Sequence, residues 1–508
     1  MSIVRAACLL PLMLACAGGA MAAPAVTVHQ WREGHEAEIV DRLDRLVRLP
    51  SIAADPKGLD DTAALLDGEL RARGFETHLL SAEPGTPKAV FGKLDVPGAK
   101  RTVVFYAHYD GQPVTVSRWA SDPFVPVMRS VKDGISTDVD WRGAVAGALD
   151  PEWRFFGRGV ADDKASIVAF LSALDALKAA GRKASVNLRV FWEGEEEAGS
   201  PHLPGLLQAN SDLLKADLWL IGDGPVHQSR LPSLYFGVRG ALGLEATVYG
   251  PLRPLHDGHY GNWVPNPGAM AARLVAQMRD EDGTISIPGV ADAARVPSAA
   301  DQAAIAALPP VEDDLMQALG IGRTEGSEKL FAAVMAPALN MRGISAGAVG
   351  AATVNAIPSE ATISLDFRLV PDQSVDAIKR SVEAFLDAKG WTVVRDTPDL
   401  RTRLDHPRVI RLAWEPGYPG LRTDMTLPVS QAVIAAASKA AGRPVVTLPM
   451  MGGSVPLYLF DQALKVPLIG LPIVNHDNNQ HAADENLRLQ NLWDGIETYA
   501  ALISGLDW

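Results

Sequence analysis

The chain has 508 residues, with 47 Lys and Arg residues against 60 Asp and Glu residues and a formal net charge of −13 at pH 7. This length predicts two domains, or one large domain with an inserted one. The acidic balance, without any block of basic residues, argues against a general nucleic-acid binder, because phosphate contacts need clustered Lys and Arg.

The N-terminus has the pattern of a secretory signal peptide. Arg5 precedes an apolar run at 6–17, and the small residues 20–22 follow it. We therefore expect an exported protein, periplasmic or secreted. The only cysteines, Cys8 and Cys16, lie in this segment, so the mature chain would have no disulfide. A lipoprotein tether through Cys16 is the alternative, and no later apolar run reaches the roughly 18 to 20 residues of a membrane span.

After this segment, helices and strands alternate up to about residue 240. Predicted helices span 35–49, 60–73 and 165–180, and predicted strands span 75–80, 89–92, 102–107, 184–192 and 218–221. Such alternation is typical of a doubly wound α/β sheet, in which sites lie at the carboxyl ends of the strands. We therefore predict an α/β catalytic domain with its site at those ends.

The pattern changes from about residue 240 and predicts a smaller inserted domain. Predicted strands span 242–249, two segments within 353–370 and 391–395, with helices at 267–277 and 374–389. This β-α-β-β-α-β order predicts a ferredoxin-like α+β lid, after which helix 429–441 returns the chain to the first sheet. The predicted organisation is a signal peptide at 1–22, a catalytic domain in two parts at 23–239 and 421–508, and the lid at 240–420. Sections 125–152 and 280–347 have no assignable pattern.

A glycine-rich loop at 157–164, GRGVADDK, places Asp162 and Asp163 directly before an apolar helix. One interpretation is a polar turn in which a carboxylate caps the helix by accepting backbone N–H bonds. The other is a metal site, because a single carboxylate can bridge two divalent cations in a hydrolytic centre.

Other chemically active side chains follow the buried strands. His108 and Asp110 point to the same side of an extended chain, so His108 can bind a metal while Asp110 orients its imidazole. The acidic run 193–197 follows the next strand, and acids crowded there need a counter-charge. With Asp223 after a third strand and His481 near the chain end, these residues make a mixed N/O ligand set suited to zinc or a related divalent ion.

The order of these motifs, HxD, GRGxxDDK, EGxEExGS, Asp and HxxxE, resembles the M20 family of metallopeptidases. Six further stretches narrow the resemblance to the branch of carnosinase and the cytosolic non-specific dipeptidases: HYDGQP at 108–113, WASDPF at 119–124, ISIPG at 285–289, NAIP at 355–358, RLVPD at 368–372 and GGSVP at 452–456. The resemblance covers most of the mature chain. It departs at Ala165, where glycine is usual, a change small enough to leave metal binding intact. It also departs in a longer segment at 125–152 and at 414–424, so the choice of substrate stays open.

The resemblance implies a dinuclear site with the ligands His108, Asp162, Glu197, Asp223 and His481. Asp162 would bridge both ions, with His108 and Asp223 on one ion and Glu197 and His481 on the other. The Asp162–Asp163 peptide bond would be cis. Zinc is the expected metal, with manganese or cobalt as alternatives, because the same N/O set accepts all three.

The resemblance also implies roles around the metals. Glu196 would be the general base that takes a proton from water and passes it to the leaving amine. His256, by sequence alone an ordinary loop histidine, would reach across a lid-mediated homodimer and stabilise the oxyanion in the partner's site. Arg368 would bind the terminal carboxylate of the substrate, with a surface salt bridge as the alternative. Asn355 and Ser454 are candidates for the same pocket.

The predicted function is that of an exported metallopeptidase, of dipeptidase or carboxypeptidase type, acting on short peptides with a free C-terminal carboxylate. An N-acyl-amino-acid deacylase would use the same metals and Glu196. A non-catalytic binding protein on this fold is the remaining alternative, against which all five ligands and Glu196 are present. The expected partners are a peptide substrate and a second copy of the chain, without nucleic acid.

Overall fold

The computed structural model describes residues 26–132, 134–143, 145, 147–326, 329–453 and 456–508. The predicted signal segment with Cys8 and Cys16, and the predicted pocket residue Ser454, lie outside these ranges. In the part of the chain that is described, no helix combines the length and the apolar character needed to cross a membrane.

Helices and strands together build a mixed α/β protein. The α-helices of the described ranges are α1 Val28–Gly34, α2 Glu36–Val47, α3 Pro56–Ala72, α4 Lys164–Ala179, α5 Leu203–Ala209, α6 Asp257–Tyr260, α7 Pro267–Met278, α8 Ala299–Ala306, α9 Glu312–Leu319, α10 Leu330–Val334, α11 Val375–Ala388, α12 Leu400–Asp405, α13 Pro428–Ala441, α14 Leu457–Leu464 and α15 Leu489–Gly505. The strands are β1 Glu76–Leu80, β2 Ala89–Leu94, β3 Thr102–His108, β4 Val127–Lys132, β5 Ile135–Asp138, β6 Arg154–Phe156, β7 Asn187–Glu193, β8 Leu218–Ile221, β9 Ser233–Tyr235, β10 Gly237–Val238, β11 Gly240–Tyr249, β12 Leu255–His256, β13 Ala338–Ser345, β14 Ala356–Ile357, β15 Glu360–Leu369, β16 Thr392–Val394, β17 Val409–Trp414, β18 Leu421–Arg422, β19 Val446–Leu448, β20 Leu468–Gly470 and β21 Asn486–Arg488.

The largest sheet has eight strands in the order β1-β2-β7-β3-β8-β20-β9-β19. Its centre is parallel, since β3 pairs in parallel with both β7 and β8, and β8 does so with β20. These central strands are continuous apolar runs because helices cover both faces of a parallel sheet. The carboxyl ends of β7, β3 and β8 therefore meet at one edge, as the sequence predicts.

Helix α4 fixes the acidic loop at that edge. Residues 164–173 of this helix are all buried, between the sheet and helices α2 and α15, so no side of its first turns faces solvent. Because α4 begins at Lys164, the two aspartates that precede it lie at the carboxyl ends of the strands.

A second sheet of five strands, β13-β15-β11-β17-β16, has its own apolar core with α7 and α11. Its first four strands have the predicted ferredoxin-like order. Three strand assignments were wrong or missing. The first of the two strands predicted within 353–370 is β14, which pairs with β12 outside this sheet, while β13 lies beside β15. The predicted last strand, 391–395, forms only the edge strand β16, and β17 takes its place beside β11. Strand β13, in the unassigned section 280–347, was not predicted. An exposed edge strand lacks the apolar–polar alternation of a half-buried one, so the sequence pattern did not reveal it. The domain boundaries at 240 and 420 stay predictions.

The section 125–152 contributes to a small sheet in the order β21-β6-β4-β5. Strands β4 and β5 form an antiparallel hairpin, and β4 also pairs with β6. On the other side β6 pairs with β21, near the end of the chain. Because β6 leads into the acidic loop, this sheet brings the segment before β21, with His481, to the same edge as Asp162.

Candidate metal centre

The predicted ligands converge at the carboxyl edge of the large sheet. Two groups of side chains have ligand atoms that all lie within 4.8 Å of one another: His108, Glu196 and Asp223, and Asp162, Glu197 and His481. These six residues come from five segments, at the end of β3, after β7 for both Glu196 and Glu197, after β8, before α4 and before β21. Residues far apart in the chain therefore form one centre.

Asp162 joins the two groups. Its Oδ1 lies 3.0 Å from Nε2 of His108, and its Oδ2 lies 3.1 Å from Nε2 of His481. The same His481 nitrogen lies 3.3 Å from Oε2 of Glu197. The Asp162–Asp163 peptide bond is cis, as the resemblance implies. A carboxylate whose two oxygens face two separate imidazoles is placed as a bridging ligand would be, although the division of ligands between two ions stays a prediction.

The helix-capping interpretation of the loop does not describe this geometry. Asp163 occupies the N-cap position of α4 but makes no side-chain capping bond. Its Oδ1 instead accepts the hydroxyl of Ser166, while Asp162 faces the histidines. The side chains of the paired aspartates thus do not cap the helix, and that of Asp162 faces the edge of the sheet instead.

The carboxylates of the centre are crowded and short of positive charge. Burial, followed by the charge of Asp162, raises the pKa of Glu197 to about 7 and that of Asp223 to about 6. Burial also raises the pKa of Glu196 well above its usual value, with repulsion from Asp223 and Glu197 adding to it. Burial would raise the pKa of Asp162 as well, but hydrogen bonds from His108 and His481 hold it below its usual value. Divalent cations would relieve this repulsion.

The donor set fits such cations. Two imidazole nitrogens and several carboxylate oxygens are the ligands of zinc and related divalent ions. Oε1 of Glu197 is buried and has no hydrogen-bond partner among the described residues, a costly condition unless a ligand satisfies the atom. The residues of this edge could therefore hold metal.

Asp110 links the first strand end to the acidic turn. Its Oδ1 lies 3.4 Å from Nδ1 of His108, whose shorter contact, 3.1 Å, is to the backbone carbonyl of Asp110. The two carboxylate oxygens of Asp110 accept the backbone N–H groups of Glu196 and Glu197, at 3.2 and 3.0 Å. Sequence reasoning missed Gln112, whose Nε2 donates to Oε2 of Glu197 at 2.7 Å. Both residues hold the turn that carries the predicted base.

Glu485 holds the loop that carries Asp162, and sequence reasoning gave it no role. It is fully buried, and one of its oxygens accepts from Nη1 of Arg158 at 2.8 Å and from the N–H of Gly159 at 2.9 Å. The other accepts from the N–H groups of Ala161 and Asp162, at 2.9 and 3.0 Å. The signal in the sequence was its position four residues after His481, in the motif HxxxE.

Three residues with predicted catalytic or substrate-binding roles lie outside the large sheet: two at the separate pair of strands β12 and β14, and the third on the second sheet. His256 on β12 pairs with Ala356 of β14, and the N–H of Asp257 donates to the carbonyl of Asn355, so His256 and Asn355 are neighbours. The His256 side chain is 55% exposed. Arg368 on β15 is about one-third exposed, and its Nε donates to Oδ2 of Asp366 at 2.8 Å.

A cavity of about 480 Å³ opens beside the metal ligands. Asp162, Glu196, Asp223 and His481 form one side of it. The other described lining residues are mostly apolar and include Val226, Leu330, Phe331, Val334, Leu448 and Met451. His256, Asn355 and Arg368 are not among the described lining residues.

Carboxylates and imidazoles gathered at the carboxyl edge of an α/β sheet, beside a cavity, are typical of a metal-dependent hydrolase. The profile of Peptidase family M20/M25/M40 matches residues 104–505, so the chain belongs to this family and is a metallopeptidase.

Relatives and solved structures agree with this assignment. The chain is 26% identical over 499 residues to the Cys-Gly metallodipeptidase dug1 of Schizosaccharomyces pombe, a match of 92% of this chain and 95% of the relative. It is 24% identical over 502 residues to the Beta-Ala-His dipeptidase of Homo sapiens, covering 93% and 91%. The M20 family metallo-carboxypeptidase Sso-CP2 from Sulfolobus solfataricus superposes with a TM-score of 0.72 at 24% identity, covering 92% and 99% of the two chains. The predicted family, branch and fold are confirmed.

The comparisons correct the prediction of export. The yeast Cys-Gly metallodipeptidases, matched over more than nine-tenths of this chain, are cytosolic enzymes, which contradicts an exported protein or one tethered through Cys16. An apolar, alanine-rich N-terminus was therefore not sufficient ground for that prediction.

Proposed function

We propose that the protein is a dipeptidase that hydrolyses the amide bond of short peptides with a free C-terminal carboxylate. One observation carries this proposal. Asp162 presents one oxygen to a histidine of each ligand group, at a cavity that Glu196 also lines. This arrangement suits two divalent ions and a base acting on one small substrate.

His108 and Asp223 would hold one ion, Glu197 and His481 the other, and Asp162 both. When bound, the two cations acidify water and polarise the scissile carbonyl. Zinc suits this N/O donor set, and manganese and cobalt share it.

Glu196 supplies the proton transfers. Its carboxylate takes a proton from water as the water oxygen attacks the carbonyl carbon, and it then gives that proton to the departing amine nitrogen. Burial raises the pKa of Glu196, which makes it a stronger base than an exposed glutamate. The backbone bond from Glu196 to Asp110 fixes the turn, so the base stays beside the ligands during both transfers.

Arg368 on the second sheet, with His256 and Asn355 at the strand pair β12 and β14, would supply substrate recognition. The guanidinium of Arg368 has the planar geometry to bind the terminal carboxylate through two hydrogen bonds. His256 and Asn355 are neighbours. Neither is among the described residues that line the cavity of their own subunit. This supports a role in a partner's site, where His256 would donate to the developing oxyanion.

A homodimer through the second sheet would make that contact. Strand β13 is an edge strand on which Met341 (44%) and Ile344 (44%) are exposed, and Val349 (88%) and Val354 (67%) are exposed in the segment that follows it. An open strand edge with apolar side chains favours pairing with another chain.

The test is hydrolysis of a matched panel. Free dipeptides and the same dipeptides N-acetylated are offered to protein stripped of metal and then loaded with zinc, manganese or cobalt. Metal-dependent cleavage of the free dipeptides supports the proposal, with Glu196→Gln as the inactive control that keeps the ligands. Preference for the acetylated peptides would replace it with an N-acyl-amino-acid deacylase, and the absence of turnover with every metal would refute it.

A further inference from the structure

His227 is a buried histidine at the cavity that the proposed chemistry does not use. It lies four residues after Asp223, in the loop between β8 and β9, and is only 2% exposed. Both His227 and the next residue, Gln228, line the same cavity as the metal ligands. The backbone N–H of His227 donates to Oγ of Ser233 at 2.9 Å, which fixes the loop.

The hydrogen bonds of His227 define its tautomer. The backbone N–H of Ser229 donates to Nδ1 at 3.1 Å, and Oγ of Ser229 lies 2.8 Å from the same nitrogen. A nitrogen that accepts an N–H bond carries no proton, so in the neutral ring the proton is on Nε2. Burial lowers the pKa of His227, which favours the neutral ring. Nε2 is therefore a donor, on the edge of the ring turned away from its own loop.

Two complementary polar atoms are left without partners there. Nε2 of His227 and Oε1 of Gln228 are buried, and neither has a hydrogen-bond partner among the described residues. One is a donor and the other an acceptor. The ring of Phe331 from α10 lies against the imidazole, with 5.1 Å between the ring centroids, and Leu330 and Val334 line the cavity from the same helix. No Lys or Arg is among the described lining residues.

We propose that His227 and Gln228 form a side-chain subsite selective for a neutral carboxamide, so that glutamine-containing dipeptides are preferred substrates. The carboxamide oxygen accepts from Nε2 of His227, and its NH₂ group donates to Oε1 of Gln228. The methylene stem of the substrate packs against the apolar residues of α10. This inference rests on the proposed dipeptidase function and names its substrate class.

Rates on four dipeptides test the subsite. Ala-Gln and Gln-Ala are compared with Ala-Met and Met-Ala, whose side chain has nearly the same shape but no such donor and acceptor. A methionine thioether would leave the buried polar atoms of His227 and Gln228 without hydrogen-bond partners, which weakens binding. We therefore expect kcat/KM to favour glutamine by about 10- to 100-fold in at least one of the two residue orders. His227→Leu and Gln228→Leu should each bring this ratio close to one. The control His78→Leu, on the exposed face of β1, should keep the wild-type ratio and rates.

Binding separates this inference from the dipeptidase proposal. Calorimetry on zinc-loaded Glu196→Gln protein gives dissociation constants for the same peptides without turnover, and glutamine should again be favoured. Equal rates and affinities for glutamine and methionine, preference for a glutamate side chain, or a ratio that survives both leucine variants would overturn the subsite and leave the dipeptidase standing. Selective binding of glutamine without hydrolysis in the wild type would support the subsite and refute the dipeptidase.

Discussion

Replacing Glu485 with glutamine tests whether one buried carboxylate holds the loop that carries Asp162. The substitution keeps the shape of the side chain but exchanges one oxygen for an NH₂ group, which cannot accept a hydrogen bond. Each oxygen of Glu485 accepts two bonds, so two donors lose their acceptor whichever way the amide is oriented. Arg158, only 3% exposed, also loses its counter-charge.

The expected loss of stability is large for an isosteric change. An unsatisfied buried donor costs about 1–3 kcal/mol, and removing one partner of a buried ion pair costs about 3–5 kcal/mol. These effects share the same atoms and do not add, so we expect about 3–5 kcal/mol. That is a substantial part of the roughly 5–15 kcal/mol by which folded proteins are stable. The affinity for zinc should fall as well, because the loop that carries Asp162 loses two of the four hydrogen bonds that hold it.

The assay is urea unfolding of metal-free protein, followed by tryptophan fluorescence, together with zinc titration against a chromophoric chelator. Glu152→Gln is the matched control, because Glu152 also pairs with arginines, Arg230 and Arg488, but its side chain is 56% exposed. An exposed pair contributes about 0–1 kcal/mol. The reasoning is refuted if Glu485→Gln lowers the urea midpoint no more than Glu152→Gln does, or if zinc binds both variants equally well.

Five further predictions concern the metals, the substrate and the partner subunit. Glu196→Gln should lower kcat by about 10²- to 10⁴-fold while zinc stoichiometry, read by metal analysis, stays at the wild-type value. Zinc affinity should rise between about pH 5 and 8. Glu197 and Asp223 must lose their protons to bind metal, and their pKa values are raised to about 7 and about 6. The measurement is competition with a chelator of known affinity at each pH. The same raised pKa values mean that the folded metal-free protein binds protons more tightly than the unfolded chain. Its urea midpoint should therefore fall as the pH rises over this range, and added zinc should reverse the fall. Arg368→Lys should raise KM more than it lowers kcat, because an ammonium cannot make the paired hydrogen bonds of a guanidinium; an equal loss in both would count against carboxylate binding. Mixing Glu196→Gln with His256→Ala protein should restore activity that neither has alone if His256 acts in the partner's site, whereas a mixture as inactive as its components would exclude that role.

The strand ends that carry two of the predicted ligands could be read from the sequence because they follow a recognisable local pattern. His108 and Asp223 come directly after continuous apolar strands, whose carboxyl ends meet in any parallel sheet. The positions of strands β3 and β8 were accordingly predicted to within one residue.

Residues whose role depends on which loops meet were not predictable in this way. Gln112 and Glu485 are ordinary polar residues until the fold brings them to Glu197 and to the loop at 157–164. His227 shows no motif, and only its burial and its unpartnered nitrogen distinguish it. Strand β17 follows a short helix and carries little alternation, so local patterns could not place it beside β11.

The position of His481 near the chain end also bears on how the protein matures. The other predicted ligands lie between His108 and Asp223, so they emerge early during synthesis, whereas His481 emerges only after the second sheet has been made. The central sheet is likewise incomplete until β20 joins β8. Chain segments this distant must pay a loop-closure entropy before they gain contacts, which slows folding. The full ligand set therefore cannot assemble until His481 has been synthesised and has joined the edge of the sheet, so complete metal loading comes after that step.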